Sequence, residues 1–349
     1  MLDYIFGLFS HDLAIDLGTA NTLVLVLGKG IVIREPSVVA RHRKTKKILA
    51  IGAEAKRMIG KTPKAIEAFR PLKDGVIADF DATEEMLHYY INKVHENPGS
   101  YIPKIPKPRV IVGIPSGVTE VERRAVQDAA LSAGARRAYL IEEPMAAAIG
   151  AKLPISDARG SMIVDIGGGT TEVALISLGG IVLNKSYRVA GDEMDEAIIH
   201  HARLKHSLLI GIQTAEDVKI KIGSVYPTKT EHYEVVRGRD LESGLPKSVK
   251  LTSSEIREAL GNVVNHIIDA INEVVEEIPP ELVGDVSEQG ITLCGGGALI
   301  RGIDKLIAQE TKMPVWVVDK PLDTVVTGAS LALSNHKLLE RVRVTGGLK

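Results

Sequence analysis

Two seven-residue segments of the chain share one pattern, Asp-(Leu/Ile)-Gly-x-x-(Asn/Thr)-Thr. They occupy residues 16–22 and 165–171, so that their aspartates are 165 − 16 = 149 positions apart. Each segment lies between two short apolar runs, which predicts a strand, a tight glycine turn and a second strand, with the aspartate at the end of the first strand. A hairpin that occurs twice in this way indicates an internally duplicated protein.

The residue types in these turns favour phosphate binding. Glycines let backbone N–H groups approach phosphate oxygens, and Thr and Asn add side-chain donors. An aspartate does not bind phosphate, but it holds Mg²⁺, usually through water, and the metal then binds the phosphates. One such turn is typical of ordinary β-hairpins. Two copies in matching contexts predict a pair of hairpins that face each other across a cleft and bind a polyphosphate.

Composition excludes several classes of protein. The 349 residues predict about two domains, and 45% hydrophobic with 25% charged residues is typical of a folded chain. A net charge of −1 argues against nucleic acid as a partner. The single cysteine, Cys294, excludes an intrachain disulfide and suits a reducing compartment. No apolar run reaches the roughly 18 residues that a bilayer span requires.

The order of predicted elements also repeats. A strand, the hairpin, a third strand and then helices follow residue 12 and again residue 161. Capping boxes at Thr119–Glu122 and Thr252–Glu255 predict two helix starts, and a polar segment at 224–250 predicts a small hairpin or subdomain. The expected fold is therefore two related α/β domains with a cleft between them, each interrupted by a smaller insertion.

Three further features are candidates for a nucleotide site. Gly295-Gly296-Gly297 follows a predicted strand and precedes a predicted helix, where backbone can approach a ring or a phosphate. Glu216 and Lys219 share one face of a predicted helix, as a surface ion pair or as ligands of a ribose. Hydrolysis needs a group that positions water, and Glu142 or Glu143 could do so; spacing does not choose between them. The chain has no Walker-type phosphate loop.

Two segments could contact a membrane. Leu2, Ile5, Phe6 and Phe9 recur at helical spacing, which predicts either a terminal segment docked on its own domain or a short interfacial anchor. Tyr101-Ile102 is a second apolar candidate, within a proline-rich loop. The basic run at 41–47 predicts a solvated hairpin turn, with contact to acidic lipid as the alternative.

The motifs together resemble those of a known superfamily. Residues 16–22, 143–149, 165–171 and 295–299 are similar to the conserved segments of the actin/Hsp70/sugar-kinase superfamily. More specifically, the chain resembles the MreB family of bacterial actin-like cell-shape proteins, to which residues 35–40, 70–80 and 121–125 are also similar. The resemblance covers nearly the whole chain.

The resemblance implies an actin-like α/β fold. Two related, ribonuclease-H-like domains would flank a nucleotide cleft, each with a smaller subdomain. The implied segments are an amphipathic N-terminal segment at 1–10, a first domain at 11–150 with an insertion at about 34–66, a second domain at 151–320 with an insertion at about 190–252, and a C-terminal segment at 321–349 that returns to the first domain.

The resemblance also implies roles for individual residues. Asp16 and Asp165 would hold Mg²⁺ through water, and Glu143 would orient the attacking water, assisted by Thr170 and Asp165. The residues expected to contact the phosphates are Thr19, Ala20, Asn21, Gly168, Gly169 and Thr170. Those expected to contact the ribose and adenine are Glu216, Asp217, Val218, Lys219, Gly296, Gly297, Ala298 and Leu299.

The function implied is that of a weak ATPase whose hydrolysis of ATP to ADP is coupled to assembly. Such a protein would form a homopolymer of paired protofilaments, work with proteins of the cell-wall elongation machinery, and lie in the cytoplasm at the inner face of the cell membrane. Leu2, Ile5, Phe6, Phe9, Tyr101 and Ile102 would contact that membrane. A small-molecule kinase of the same superfamily is the alternative. An Hsp70-type chaperone is disfavoured because no substrate-binding domain follows residue 349.

Overall fold

The computed structural model describes residues 10–96 and 107–344. The six side chains expected at the membrane, Leu2, Ile5, Phe6, Phe9, Tyr101 and Ile102, lie outside the described residues. Within those residues, no helix combines the length and the apolarity that crossing a bilayer requires.

Strands and helices alternate along the chain. The strands are β1 Leu13–Leu17, β2 Asn21–Val26, β3 Gly30–Pro36, β4 Val39–His42, β5 Ile48–Ile51, β6 Ile66–Phe69, β7 Leu72–Lys73, β8 Val76–Ile77, β9 Arg109–Ile114, β10 Arg137–Glu142, β11 Ser161–Ile166, β12 Thr171–Ser177, β13 Gly180–Tyr187, β14 Leu208–Leu209, β15 Tyr233–Asp240, β16 Pro246–Thr252, β17 Ile291–Cys294 and β18 Val315–Val317. The helices are α1 Ala53–Met58, α2 Phe80–His95, α3 Glu120–Ser132, α4 Glu143–Gly150, α5 Gly191–His206, α6 Ile212–Ile222, α7 Ser253–Glu276, α8 Pro280–Gln289, α9 Ile303–Thr311, α10 Thr324–Ser334 and α11 His336–Val342.

The described residues divide into two compact units. The first unit contains residues 10–96, 107–158, 177–181 and 323–344, and the second contains residues 159–176 and 182–322. Each unit has its own apolar core, built in the first around β1, β9 and α2 and in the second around β11, β17 and α7. The C-terminal helices α10 and α11 therefore belong to the same unit as the N-terminal strands.

A five-stranded sheet of the same topology appears twice. The first has the order β3-β2-β1-β9-β10, and the second has the order β13-β12-β11-β17-β18. Strand β1 is antiparallel to β2 and parallel to β9, and β11 is in the same way antiparallel to β12 and parallel to β17. The internal duplication predicted from the repeated hairpin is thus confirmed at the level of strand order, and the two sheets show the actin-like α/β fold.

Smaller sheets accompany the two large ones. Strands β4, β5 and β6 form one three-stranded sheet, β14, β15 and β16 form another, and β7 pairs with β8. The β4–β5 hairpin carries the basic run at 41–47 at its turn. Arg41 is not available for lipid, because its guanidinium pairs with Glu67 and Asp79 at 2.7 Å each and lies 4.5 Å from the ring centre of Phe69.

Local sequence signals begin two of the longer helices. Both predicted capping boxes form: Thr119 with Glu122 begins α3, and Thr252 with Glu255 begins α7. Each box pairs two N–H groups that a helix start leaves without intrahelical partners.

Two further helix starts have local causes, and one differs from expectation. Helix α4 begins at Glu143, and Pro144 lies at its second position. Proline is still tolerated there, because N–H groups in the first turn have no intrahelical acceptor. The glycine run at 295–297 leads into a single 3₁₀ turn, Gly297–Leu299, and α9 begins only at Ile303.

Helices α4 and α10 of the first unit cross at unusually short range. A Cβ atom placed on Gly328 would lie 1.7 Å from the carbonyl oxygen of Ala146, and one placed on Gly150 would lie 2.0 Å from that of Thr324. The crossing therefore requires glycine at both positions. It determines where α4 lies, and with it Glu143 at the start of that helix.

Substitution Gly328→Ala should destabilise the protein by about 1–3 kcal/mol, the cost typical of overpacking. The measurement is the midpoint of urea unfolding. Gly261→Ala in α7 is the matched control, because a Cβ there meets nothing within 4 Å. The control should be stabilised by about 0.5–1 kcal/mol, since alanine favours a helix over glycine. Equal midpoints for Gly328→Ala and the unsubstituted protein would show that the crossing is loose.

Candidate functional site

The first repeated hairpin joins β1 to β2 in the first unit. Leu17 pairs with Thr22, and the turn between them is so tight that a Cβ on Gly18 would lie 2.8 Å from the carbonyl oxygen of Asn21. Thr19 is 6% exposed, and its hydroxyl accepts a hydrogen bond from the backbone N–H of Gly75 at 3.0 Å. The turn is therefore held in one conformation by its neighbours.

The second hairpin joins β11 to β12 in the second unit. Its turn is closed by a hydrogen bond from the N–H of Gly167 to the carbonyl oxygen of Thr170 at 2.8 Å. The first turn of α5 packs directly against it, and the N–H of Asp192 donates to the carbonyl oxygen of Gly168 at 2.7 Å. Thr170 is buried, at 7% exposure. Both hairpins predicted from sequence are therefore present, and each is held by hydrogen bonds from a neighbouring segment.

In the first unit, strand pairing brings Asp16 close to the start of α4. Asp16 pairs with Gly113 on β9, which in turn pairs with Ile141 on β10. A Cβ on Gly113 would lie 3.4 Å from the Cγ of Glu143, so that the missing side chain leaves room for Glu143. Asp16, Glu143 and the hairpin turn all lie at the carboxyl ends of parallel strands, which is where α/β sheets bind ligands.

The adjacent carboxylates of Glu142 and Glu143 have different surroundings. Burial raises the pKa of Glu142, partly opposed by the charge of Arg123, a residue of α3. Glu143 instead packs over Gly113, next to the Asp16 pairing. Sequence spacing left both residues open as the water-positioning group. The geometry places Glu143, and not Glu142, over Gly113 at the edge of the sheet that also carries Asp16.

Asp165 occupies the matching position in the second unit. It is 7% exposed and pairs with Cys294 on β17, whose thiol donates a hydrogen bond to its carboxylate. Burial raises the pKa of Asp165 to about 6, and the hydrogen bond from Cys294 partly opposes this. Gly295 follows with φ +81°, and a Cβ there would lie 2.2 Å from Oδ1 of Asp165. Glycine is therefore required beside the carboxylate.

Lys219 lies beside the second hairpin. Its ammonium group is 2.8 Å from Oδ1 of Asp195 and donates to the carbonyl oxygen of Gly191 at 2.6 Å. A Cβ on Gly191 would lie 3.2 Å from the carbonyl oxygen of Gly167, so this glycine allows α5, the hairpin and Lys219 to converge. Burial raises the pKa of Asp195 to about 6, and the charge of Lys219 opposes the shift.

The other residues expected at the ribose and adenine differ in exposure. Glu216 is half-buried and Asp217 is exposed on α6, whereas the side chain of Val218 lies in the core of the second unit. After the glycine run, Leu299 is 57% exposed, but Ala298 is 4% exposed and belongs to the core. Val218 and Ala298 can thus offer a ligand little beyond their backbone atoms.

Sequence reasoning missed the role of Ser37. Its hydroxyl donates to the carbonyl oxygen of Gly18 at 2.6 Å and lies 2.8 Å from the hydroxyl of Thr22, and its N–H donates to Ala20. In the second unit, Thr171 donates to the carbonyl oxygen of Val189 at 2.7 Å. The repeated motif could have indicated this role, because Ser37 and Val189 each follow the third strand of their sheet.

Comparisons with known proteins agree with this architecture. Residues 10–341 match the family model described as MreB/Mbl protein. The chain is 52% identical to the cell shape-determining protein MreB of Escherichia coli strain K12 over 351 residues, which covers 99% of this chain and 98% of that protein.

Solved structures show the same similarity. MreB5 of Spiroplasma citri bound to ADP superposes with a TM-score of 0.88 at 40% identity, covering 94% of this chain and 97% of the other. The same protein bound to AMPPNP gives 0.87 at 41% identity, covering 95% and 98%. A MamK double helical filament gives 0.78 at 22% identity, covering 93% and 99%, and that likeness concerns the fold.

The buried carboxylate of Asp165 predicts a pH-dependent stability. Its folded pKa of about 6 exceeds the ordinary value of 3.8, so the ionised form destabilises the fold. This cost is absent below pH ~4 and fully present above pH ~6. The difference of about two units between the folded and the ordinary pKa limits the cost to about 3 kcal/mol. Asp165→Asn should therefore stabilise the nucleotide-free, metal-free protein at pH 8, and much less at pH 4.5. Asp195, which titrates in the same range, contributes equally to both proteins.

Urea unfolding in EDTA at the two pH values measures the difference. Asp269→Asn is the control, because Asp269 is an exposed residue of α7. A gain for Asp165→Asn that is the same at both pH values would contradict the assignment to the charge of Asp165.

Proposed function

The chain belongs to the MreB/Mbl family of cell shape-determining proteins, and from this premise we propose that it binds ATP, assembles into filaments and hydrolyses the nucleotide as assembly proceeds. The observation that carries the proposal is the duplicated hairpin. Each copy lies at the carboxyl edge of a five-stranded sheet, with a carboxylate at the end of the preceding strand.

The hairpin turns provide the phosphate contacts. Backbone N–H groups at Thr19, Ala20 and Asn21, and at Gly168, Gly169 and Thr170, bind phosphate oxygens of ATP or ADP. The rigid bracing of both turns supports this role, because donors that are already oriented lose little entropy when they bind. That MreB5 of Spiroplasma citri has been solved with ADP and with AMPPNP also supports a nucleotide here.

The donor set fits Mg²⁺. Asp16 and Asp165 supply the carboxylate oxygens that Mg²⁺ prefers, and a cation would offset the unfavourable burial of the Asp165 charge. A bound ion would supply charge neutralisation for the phosphates, and Asp16 and Asp165 are the residues that would hold it. Cys294 keeps the Asp165 carboxylate oriented through its hydrogen bond.

Hydrolysis is assigned to Glu143, with Thr170 and Asp165 assisting. The Glu143 carboxylate orients a water molecule for in-line attack on the terminal phosphate and accepts its proton. Gly113 gives this side chain the space to do so, and the crossing of α4 with α10 fixes its backbone. Glu142 points into surroundings that include Arg123 and takes no part.

The nucleoside is bound by residues of the second unit. Glu216 and Asp217 on α6 bond the ribose hydroxyls, together with the backbone at Val218. Lys219 holds the start of α5 against the hairpin and lines the same region. Gly296, Gly297, Ala298 and Leu299 give the adenosine a surface that is mostly backbone, because glycine leaves no side chain in the way.

Assembly and membrane contact complete the proposal. The protein polymerises with itself into paired protofilaments at the inner face of the cell membrane, where it acts with proteins of cell-wall elongation. The apolar spacing of Leu2, Ile5, Phe6 and Phe9, and the apolar pair Tyr101-Ile102, support peripheral attachment. The N-terminal segment carries no lysine or arginine, so its attachment depends mainly on apolar burial.

Sedimentation and electron microscopy of the full chain with ATP and Mg²⁺, with and without anionic liposomes, test this function. We expect filaments with nucleotide and co-sedimentation with liposomes. Phe6→Ser with Phe9→Ser should reduce liposome binding at least about tenfold, because two buried aromatic side chains contribute a few kcal/mol. Val121→Ser, at a 78% exposed apolar side chain, is the control and should bind normally. ATP consumption stimulated by a sugar, with no polymer under any condition, would instead indicate a kinase.

The pair Glu142 and Glu143 offers a matched test of the catalytic assignment. Glu143→Gln should lower ATP turnover by about 10²–10⁴-fold, the range typical of a lost general base, while nucleotide still binds. Glu142→Gln should change turnover less than about threefold, because that carboxylate does not touch the reacting atoms. Phosphate release measures turnover, and a fluorescent ATP analogue measures binding. The reverse order of the two variants would overturn the assignment.

A further inference from the structure

Three potential metal ligands meet in the second unit, apart from the nucleotide-binding residues. His201 and His206 lie in the last turns of α5, and Glu255 lies in the first turn of α7. One ligand atom from each residue lies within 4.8 Å of the other two. Glu255 lies 49 residues after His206 in the sequence, and the packing of α5 against α7 brings it to the two histidines.

His201 is the residue that the fold leaves unexplained. It is 8% exposed, and its buried Nε2 has no hydrogen-bond partner. A buried polar atom without a partner destabilises a fold, so such an atom indicates a missing ligand or a specific function. Burial also lowers the pKa of His201, which favours the neutral ring whose lone pair binds metals.

The other two ligands are already oriented. Nε2 of His206 lies 2.8 Å from Oε1 of Glu255. The second oxygen of Glu255 accepts from the N–H and the hydroxyl of Thr252 at 2.9 and 3.0 Å, as part of the capping box. The carbonyl oxygen of His206 accepts from Nζ of Lys247 at 2.9 Å. Such outer contacts are the usual means by which proteins position first ligands.

We propose that His201, His206 and Glu255 bind a divalent transition-metal ion of the Zn²⁺ class. Two imidazoles and one carboxylate form a known zinc donor set, with water in the fourth position. Metal–ligand distances of about 2.0–2.2 Å in a tetrahedron place the ligand atoms about 3.4 Å apart. The observed span of 2.8 to 4.8 Å brackets this value. Imidazole ligands favour Zn²⁺, Co²⁺ or Ni²⁺ over Mg²⁺ and Ca²⁺.

The surrounding charge is balanced. Glu258, one turn along α7 from Glu255, pairs with Lys205 at 3.0 Å. Lys247 pairs with Asp240 at 3.1 Å. Both lysines are therefore matched by a carboxylate, and Glu255 gives the ligand set its own negative charge.

A bound ion would join the end of α5 to the start of α7. Strand β16 ends at Thr252, the residue that caps α7, and β14 begins two residues after His206. The ion would therefore stabilise the small β14–β15–β16 sheet against the helices. This role is structural and does not depend on the proposed ATP chemistry.

Metal titration of the untagged, metal-stripped full chain tests the proposal. Co²⁺ should bind at one ion per chain with the intense visible absorption of a tetrahedral site, and Zn²⁺ should displace it in the presence of excess Mg²⁺ and ADP. His201→Gln and His206→Gln should each weaken binding at least about tenfold. His200→Gln is the matched control, because His200 is the exposed neighbour of His201.

The effect of Zn²⁺ on thermal unfolding provides a second measurement, which separates loss of metal binding from poor folding of a variant. Zn²⁺ should raise the melting temperature of the unsubstituted protein and of His200→Gln, and should leave that of His206→Gln and Glu255→Gln unchanged. Absence of a stoichiometric ion in the unsubstituted protein would overturn the proposal, and so would binding that is lost in His200→Gln but kept in His201→Gln. In either case the cluster is a buried histidine beside an ordinary His206–Glu255 hydrogen bond.

Discussion

The rest of the structure depends on how β1 and β11 pair within their own sheets. Each of these strands lies between an antiparallel neighbour and a parallel neighbour. This pairing places Asp16 opposite Gly113 and Asp165 opposite Cys294, with a glycine hairpin directly after each aspartate. Both hairpin turns, Gly295 and Glu143 are positioned next to these pairs. Because a shift of one residue would turn each aspartate to the other face of its sheet, the proposed function depends on this register.

Close backbone approach is the second shared feature. Gly113 leaves space for Glu143, Gly191 lets α5 reach the second hairpin, and Gly295 lies against the carboxylate of Asp165. Away from the phosphates, Gly150 and Gly328 allow α4 and α10 to cross within reach of each other's carbonyl oxygens. A side chain at Gly150, Gly295 or Gly328 would overlap neighbouring atoms, so these glycines contribute geometry rather than flexibility.

Stability and the proposed function make opposite demands on Asp165. Burial raises the pKa of this carboxylate and its ionised form weakens the fold, whereas the proposed metal-bound nucleotide would require an ionised, oriented oxygen. His201 poses a similar question on a smaller scale, since its unpartnered ring nitrogen also weakens the fold unless something binds it. Both residues illustrate that a locally unfavourable group in a well-packed unit points to a ligand.

Local patterns in the sequence predicted the two hairpins and the capping boxes at Thr119 and Thr252, and all four are present. These depend on residues within a few positions of one another, which a sequence displays directly. The repeated motif also predicted the duplicated order of elements along the chain. Tertiary structure alone decided that Ser37 braces the first hairpin, that Cys294 donates to Asp165, and that His201 meets Glu255. Each of these contacts joins residues far apart in the chain, and their distances follow from how helices and strands pack rather than from any local preference.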